Sequence, residues 1–459
     1  MRITIKGSNI VFILFILLLP IELLPFLQIF KNTISPSATI ENGLFLMLLG
    51  FICISIEQKG ILVLWRKTLT YLMIQTTLLL ILLTSITSLF LYHVLGTLNG
   101  ENSITASIPS IIYLGITGLG MYYCSVMFQK VEKKTISSVL NILCIILAII
   151  GIVQIGILLL GGPFDLINDI FSRFGLTQSS FRIRTWGRIS LTASEPAGSG
   201  DILCVLVLPY ILSCLLDRHC IKKIYYTILA ILFFIIAFFT MSSTVYMGVI
   251  IDFCMFVIIW TRAQAEKTGK RKMSNVFGAI LIIGIVIVLL IKFTEIGKII
   301  RFYLIDKVFS AEDMSTLIRR STIFVDLYAF LHFPLTGVGN GNQGFFYNEV
   351  VTKMYSQEVL QYSEFANRIN GSLGIANGGA FVPAFISGYG VCGLCLLVNY
   401  IKHCRKVMKK RIDDYGVFRH MYYIGALAFL GMATMATNLD GNFLIIFVLS
   451  IPLMQKNVS

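Results

Sequence analysis

The sequence predicts an all-α polytopic membrane protein of about twelve spanning helices. The 459 residues are 56% hydrophobic and only 13% charged, with a mean hydropathy of +0.84. A soluble domain of this length could not cover so much apolar surface. Apolar runs of spanning length recur along the chain, and Lys and Arg concentrate in the short connectors between them. We therefore expect a single membrane domain, residues 1–459.

Each predicted span is an apolar run long enough to cross about 30 Å of hydrocarbon. The first run follows Arg2 and Lys6 but no small-residue cleavage site follows it, so we expect an uncleaved span rather than a signal peptide. The predicted spans are 10–28, 40–56, 69–95, 108–128, 136–161, 199–217, 224–241, 243–260, 277–293, 379–401, 421–437 and 442–455.

Orientation follows from the distribution of basic residues. If the N-terminus is cytoplasmic, 24 of the 37 Lys and Arg residues lie in tails and connectors on the cytoplasmic side. Most of the others lie in two long loops, 162–198 and 294–378, to which the positive-inside rule gives little weight. We predict both termini inside and both long loops outside, the larger one between helices 9 and 10. The net charge of +14 thus reflects topology in contact with membrane lipids, and no nucleic-acid partner is predicted.

The first long loop carries four arginines and no lysine, among them Arg182, Arg184 and Arg188. A guanidinium binds phosphate oxygens in pairs and stays charged, which predicts a phosphate-bearing ligand at the membrane surface. The alternative is a solvated loop that reaches toward ordinary lipid phosphates. Glu195 follows the arginines and is the predicted general base. Asp201 competes with it, and either acid could instead simply pair with an arginine.

The second long loop predicts helical structure on both sides of a glycine-rich turn. Residues 310–333 predict one helix, and 345–369 predict an amphipathic helix on the membrane surface. Arg319 and Arg320 lie in the first helix. Since two adjacent helical residues cannot both face one site, we expect one to act and the other to be solvated or paired.

The glycine-rich turn between these helices contains Gly337, Gly339 and Asn340. No strand precedes it, which excludes a dinucleotide-binding fold. The glycines predict a tight turn whose backbone closely approaches a ligand or a helix. The five histidines of the chain do not cluster, so no metal site is predicted.

Three segments of the sequence resemble one family. Arg319 is followed by a helix and then by Pro334-Leu-Thr-Gly-Val-Gly-Asn-Gly341, which resembles the "P-L-x-G-V-G-x-G" signature of the O-antigen polymerase and ligase superfamily. The stretch from Arg188 to Pro196 resembles the segment before the sixth helix in capsular and exopolysaccharide polymerases. The stretch from Asn377 to Gly393 is similar to the "G-x-x-G" start of the helix after the large loop.

The resemblance implies a metal-independent, cofactor-free glycosyltransferase of GT-C-like architecture. Its donor would be an oligosaccharide on undecaprenyl pyrophosphate, used on the outer face of the bacterial cytoplasmic membrane. A chain-length regulator and a flippase would be its partners. The resemblance implies that arginines of both loops hold the pyrophosphate leaving group. Together with the residues discussed above, it leads us to predict Glu195, Arg188, Arg319 and Arg320 as catalytic residues, and Arg182, Arg184, Gly337, Gly339 and Asn340 as substrate-binding residues.

Two features separate the alternatives within and outside this family. Ligases place a histidine beside an asparagine near the end of the large loop, whereas here the stretch is Ile375-Ala-Asn377, so polymerase is favoured. A flippase for lipid-linked oligosaccharides should carry charges inside both halves. The apolar runs here are nearly free of charge, with Asp252 as the main exception. We expect a polymerase of O-antigen, capsule or exopolysaccharide repeat units, with a ligase as the nearest alternative.

Overall fold

The computed structural model describes residues 6–22, 38–58, 68–217, 220–267, 297–298, 301–306, 314–371, 380–410, 416–435, 439 and 442–454. Within them the regular secondary structure is helical apart from one short antiparallel hairpin, which confirms the predicted all-α class. The hairpin strands are β1 (Thr97–Leu98) and β2 (Glu101–Asn102). The helices are α1 (Gly7–Leu18), α2 (Ala38–Gln58), α3 (Thr68–Leu95), α4 (Ser103–Lys130), α5 (Lys133–Leu159), α6 (Pro163–Arg173), α7 (Ser180–Trp186), α8 (Leu208–Leu216), α9 (Lys223–Phe239), α10 (Ser243–Lys267), α11 (Met314–His332), α12 (Tyr347–Met354), α13 (Gln357–Leu360), α14 (Ser363–Asn370), α15 (Phe381–Lys410), α16 (Gly416–Met432) and α17 (Phe443–Leu449), with π-helical turns at Asp201–Val207 and Phe302–Asp306 and 3-10 turns at Gln343–Phe346 and Ile451–Leu453.

Five of the described helices are long and apolar enough to cross a membrane, namely α3, α4, α5, α10 and α15. Four apolar segments of 10–17 residues accompany them: Gly7–Leu18, Asn42–Glu57, Asp201–Leu216 and Lys223–Phe239. These segments coincide with predicted spans. The ninth predicted span, 277–293, lies outside the described residues. The total of about twelve spans stays a prediction.

The segment Asp201–Leu216 runs through the centre of the bundle. It begins as a π-helical turn, continues as α8, and is buried at every position from Ile202 to Cys214. A helix that is apolar all round must be surrounded by other helices. Here α9, α10 and α16 pack around it. Its first residue, Asp201, therefore lies where the predicted first exterior loop enters the bundle.

The first long loop is itself largely helical, since α6 and α7 fold back onto α5. Asn168 of α6 is buried, and its Nδ2 donates to the Gln178 carbonyl oxygen at 2.8 Å. The Ser179 hydroxyl caps α7, accepting from the Arg182 N–H at 3.4 Å, and Gly187 ends the helix in the left-handed region with φ +62°.

The second long loop builds a compact unit on α15. Helix α11 packs along α15, and a buried apolar cluster joins it to α12–α14 and to Leu91 of α3. The single amphipathic helix predicted over 345–369 is wrong, because the chain forms α12, α13 and α14 in succession. Tyr355 has extended backbone (φ −127°, ψ 150°), and Val351 and Phe365 on either side are buried in the same cluster. The apolar residues keep a helical spacing across the breaks between α12, α13 and α14, so the sequence pattern did not reveal these breaks, which the packing of the cluster creates.

Candidate functional site

The arginines of α7 have two different environments. The Arg184 guanidinium forms an ion pair with Asp165 of α6, which fastens the two helices together. The guanidinium of Arg182 lies over the Trp186 ring, 4.2 Å from its centroid, and that of Arg188 lies 5.9 Å from the same centroid. One indole thus holds two positive charges in proximity. Two guanidiniums in proximity suit a ligand with several negative oxygens, such as a phosphate group.

Gln178 ties this arginine pair to the Glu195 loop. Its side-chain oxygen accepts from Nη1 of Arg182 at 3.1 Å, and its Nε2 donates to the Ser194 carbonyl oxygen at 2.9 Å. Glu195, the next residue, is exposed. Two hydrogen bonds therefore link Arg182, a predicted phosphate-binding arginine, to the backbone of the residue that precedes the predicted base.

The backbone before Glu195 is fixed from within the bundle by Gln154 of α5. The Gln154 side-chain oxygen accepts from the N–H groups of Ser190 (3.2 Å) and Leu191 (2.9 Å), and its Nε2 donates to the Leu191 carbonyl oxygen (2.8 Å). Leu191 has φ +53°, a left-handed conformation that costs about 1–2 kcal/mol in a side-chain-bearing residue. The Ser199 hydroxyl donates to the Ser190 carbonyl oxygen at 2.7 Å. Fixed backbone of this kind is what a preorganised site requires.

A second carboxylate, Glu22, holds the same loop from the other side. Its Oε2 accepts from both the N–H and the hydroxyl of Ser194, each at 2.7 Å, and its own N–H donates to the Thr192 carbonyl oxygen at 3.2 Å. Glu22 lies close enough to Glu195 to interact with it electrostatically. The sequence carried a signal that was missed: Glu22 is an acid within the apolar stretch 10–28.

Asp201, the competing candidate for the general base, accepts a hydrogen bond from an asparagine side chain. Asn442, at the start of α17, donates from its Nδ2 to Asp201 Oδ2 at 2.9 Å. This bond ties the first turn of the central helix to the C-terminal part of the chain. Asp201 thus contributes to helix packing at the mouth of the bundle, whereas Glu195 is presented to solvent.

The adjacent arginines of α11 also differ from one another. Arg319 is exposed, whereas Arg320 is half-buried and acts electrostatically on Tyr355, which lies between α12 and α13. The Tyr355 hydroxyl in turn donates to the Leu317 carbonyl oxygen at 3.2 Å. Arg320 therefore interacts with the α12–α14 unit, and Arg319 is the more exposed of the two, which is consistent with neighbouring residues lying on different faces of a helix.

The glycine-rich turn approaches a helix. The Val338 N–H donates to the Ser387 carbonyl oxygen at 2.9 Å, and the Gly339 N–H donates to that of Gly388 at 3.0 Å. Gly337 has φ +69°, and a Cβ there would lie 2.4 Å from the Gly388 carbonyl carbon. Gly390 meets the turn at a kink inside α15, with φ +57°. The turn's glycines are thus needed for backbone contact, and their N–H groups already donate to protein carbonyls.

A buried polar chain links this turn to α11. The Ser387 hydroxyl donates to Asp326 Oδ1 at 2.9 Å, and Gln343 Nε2 lies 3.2 Å from the same hydroxyl oxygen. Gln343 Oε1 accepts from the Gly341 N–H at 2.9 Å. Burial raises the pKa of Asp326 to about 7, although the Ser387 hydrogen bond opposes the shift. Gln343 and Ser387 did not stand out in the sequence, because neither residue type is unusual in its segment.

The two glycine segments that carry the family resemblance, one before Gly341 and one around Gly390, therefore meet in space. No protein-family model and no curated protein sequence matches this chain. The family remains a prediction, and so do the catalytic and substrate-binding roles. Among the residues that the structure describes, no group of three or more His, Cys, Asp and Glu side chains is placed to hold a metal ion.

A cavity of about 880 Å³ lies between α3, α4, α10, α15 and α16. One end is lined by the glycine turn through Asn340, Gly341 and Gln343. The volume falls in the range of small-molecule sites. Asn340 is therefore the predicted turn residue that borders a space for a ligand. Away from this end, the cavity wall is mostly apolar and aromatic. It includes Met73, Leu80, Tyr113, Leu114, Met255, Ile259, Phe385, Leu397, Phe429 and Leu430.

Different helices support the two arginine groups. Helices α6 and α7 pack on α5, whereas α11 packs on α15. The hypothesis that Arg188 and Arg319 or Arg320 bind the same pyrophosphate stays a prediction. The structure does place Arg182 and Arg188 at the same indole of Trp186, and it links Arg182 through Gln178 to the backbone of Ser194, the residue before Glu195.

Proposed function

We propose that this protein polymerises oligosaccharide repeat units carried on undecaprenyl pyrophosphate into a surface polysaccharide. The observation that carries the proposal is the Gln178 bridge, which couples two guanidiniums on one indole to a loop that presents an exposed carboxylate. Guanidiniums suit a phosphate leaving group, and a carboxylate suits removal of a proton from a sugar hydroxyl. The proposal includes about twelve spans in a GT-C-like arrangement, both termini inside, and a site on the outer face of the bacterial cytoplasmic membrane.

The reaction assigns one role to each group. The bond between the donor sugar's anomeric carbon and the pyrophosphate oxygen breaks, and the acceptor hydroxyl oxygen bonds to that carbon. The electron pair leaves on pyrophosphate, where Arg182, Arg188 and an arginine of α11 stabilise the charge. The hydroxyl proton passes to the Glu195 carboxylate. Arg184 acts through its ion pair with Asp165, which holds α7 in position.

The cavity supports a lipid-linked substrate. It is walled by apolar and aromatic side chains and reaches the glycine turn, where Asn340 and Gln343 supply neutral polar groups. Isoprenoid units lie favourably against such a wall, because burial of apolar surface is favourable at roughly 25 cal/mol per Å². In this arrangement Gly337 and Gly339 hold the turn against α15, and Asn340 contacts the ligand.

The test uses purified protein in lipid vesicles with lipid-linked repeat units, and measures the ladder of chain lengths. We expect Arg188→Ala to slow elongation by about 10²-fold, the usual effect of removing one charge-stabilising donor. Glu195→Gln should slow it at least as much. Arg173→Ala is the matched control, since Arg173 is an exposed arginine at the end of α6 in the same loop. The proposal fails if Arg188→Ala combined with Arg320→Ala elongates chains at the wild-type rate.

The same assay separates the alternatives. A ligase would transfer preformed long chains to an acceptor and leave single repeats unjoined. A flippase would move labelled lipid-linked units across the vesicle membrane without changing their length. The missing histidine beside Asn377, a position outside the described residues, supports polymerase over ligase.

A further inference from the structure

The end of the cavity opposite the glycine turn is cationic. Four lysine and arginine side chains from three helices line it: Arg262 of α10, Arg405 and Lys409 of α15, and Arg419 of α16, whose Nη2 lies 3.3 Å from Nε2 of His420 in the same wall. Arg405 and Arg419, on two different helices, both lie close enough to Tyr423 to interact with its hydroxyl electrostatically. Within the described part of the chain, no Asp or Glu lines this cavity.

The wall beside these cations is apolar. Met255 and Ile259 of α10, Ile401 and Met408 of α15, and Leu430 of α16 line the same cavity. A free anion would gain nothing from such a wall, whereas an amphiphile with an anionic head would satisfy both parts of the site. The chemistry is therefore complementary to a lipid phosphate with its hydrocarbon chains.

The positive-inside rule explains why basic residues occur at this end of the helices. It does not explain why these four border one cavity. Lys402, Arg405, Lys406 and Lys409 are all exposed on the same stretch of α15, and of these only Arg405 and Lys409 are among the cavity-lining residues. Arg405 and Lys409 are four residues apart, so it is one face of the helix that borders the apolar space.

The cavity extends along α15 on both sides of the kink at Gly390. Ala384 lines it before the kink, near the glycine turn, and Arg405 lines it at the cationic end, after the kink. The stretch of α15 from Gly390 to Arg405 is about 22 Å long at 1.5 Å per residue. A ligand at the glycine turn and a lipid at the cationic end therefore need not overlap.

We propose that the cationic end of this cavity binds an anionic glycerophospholipid from the cytoplasmic leaflet. The phosphate accepts hydrogen bonds from the guanidiniums of Arg405 and Arg419, Arg262 and Lys409 add charge, and the acyl chains occupy the apolar cavity. Basic pockets between membrane helices on the cytoplasmic side bind anionic headgroups by this chemistry. The inference uses the predicted orientation but none of the proposed glycosyl transfer.

Native mass spectrometry of the purified full-length chain in detergent tests the site, with phosphatidylglycerol and phosphatidylcholine as probes. We expect phosphatidylglycerol to bind at least about tenfold more tightly, because both lipids carry the phosphate but the choline ammonium of phosphatidylcholine is repelled by the four cationic side chains. Arg405→Gln with Arg419→Gln should remove that preference. Lys402→Gln with Lys406→Gln, which deletes the same charge from the same region, should keep it. Ala426→Trp narrows the cavity with every charge intact and should weaken phosphatidylglycerol binding by a similar factor.

Three results would overturn the site. They are equal binding of the two lipids, an equal loss of preference in both double variants, and displacement of phosphatidylglycerol by an equal concentration of glycerol 3-phosphate, which would indicate a site for the free phosphate. If the arginine double variant does not fold, the Ala426→Trp variant decides. Unchanged phosphatidylglycerol binding in that variant excludes the cavity as the place of the acyl chains.

Discussion

The substitution Gln154→Met should release the loop that precedes Glu195 while the helix bundle stays folded. Methionine matches glutamine in length and shape but makes none of the three hydrogen bonds to Ser190 and Leu191. Gln154 is fully buried, so the freed N–H and C=O groups have no ready access to water. The change thus acts on the loop backbone while α5 keeps its apolar packing.

The magnitude follows from the groups left without partners. Each buried donor or acceptor without a hydrogen bond costs about 1–3 kcal/mol, so three of them cost at least about 3 kcal/mol. The left-handed Leu191 adds strain that opening of the loop relieves. A 3 kcal/mol shift raises the open population of the loop roughly hundredfold, since every 1.4 kcal/mol is a factor of ten.

Hydrogen–deuterium exchange of the Gly187–Glu195 peptide measures this opening. We expect exchange at the Ser190 and Leu191 amides to accelerate about a hundredfold in Gln154→Met. The matched control is Gln129→Met, since Gln129 donates only to the Ser125 carbonyl oxygen of its own helix, at 2.8 Å. If exchange at Ser190 and Leu191 is unchanged in a folded Gln154→Met protein, the loop is held by something else. Equal acceleration in the control would show a general loss of packing instead.

Two further predictions concern stability and are read as thermal unfolding in detergent. Gly337→Ala places a Cβ 2.4 Å from the Gly388 backbone at φ +69°, and it should lower the free energy of unfolding by about 2 kcal/mol or more. The control Gly100→Ala, at φ +80° with open space around it, should lower it by only about 1 kcal/mol. Equal losses in the two variants would contradict the close approach of Gly337 to Gly388. Burial raises the pKa of Asp326 from 3.8 to about 7, so the folded state binds the proton more tightly and wild-type stability should fall as the pH rises from about 4 to about 7. Asp326→Asn should remove this pH dependence and be more stable than wild type at pH 8, by up to about 4 kcal/mol. If the difference in stability between Asp326→Asn and wild type does not change with pH, the raised pKa of Asp326 is contradicted.

Local sequence patterns located several parts of the candidate site. The helix that carries Arg319 and Arg320 was predicted over 310–333 and is observed from Met314 to His332, with the residues just before it outside the described ranges. The tight glycine turn was also predicted, because only glycine tolerates φ values such as the +69° of Gly337 at low cost. These predictions succeeded because their causes, helical spacing and backbone conformation, act within a few residues.

The missing parts of the site are contacts between distant segments. Ser194 is held by Glu22, which lies 172 positions earlier in the chain, and Asp201 by Asn442, 241 positions later. A lone polar residue in an apolar run indicates that a partner exists, but nothing local names the partner. Gln154, Gln178 and Gln343 were overlooked for the same reason, although each joins backbone or side chains from two elements.

The sequence by itself determined the all-α class, the apolar helices and the segments between them that carry the arginines and glycines. It did so because hydropathy and helical periodicity are local properties that the bilayer environment enforces. Only the tertiary structure decided that Arg182 and Arg188 share Trp186, that Gly337 lies against Gly388, and that one cavity joins the glycine turn to a cationic end. These features arise from the packing of helices far apart in the chain, where side-chain shape and hydrogen-bond complementarity select one arrangement among many with the same hydropathy.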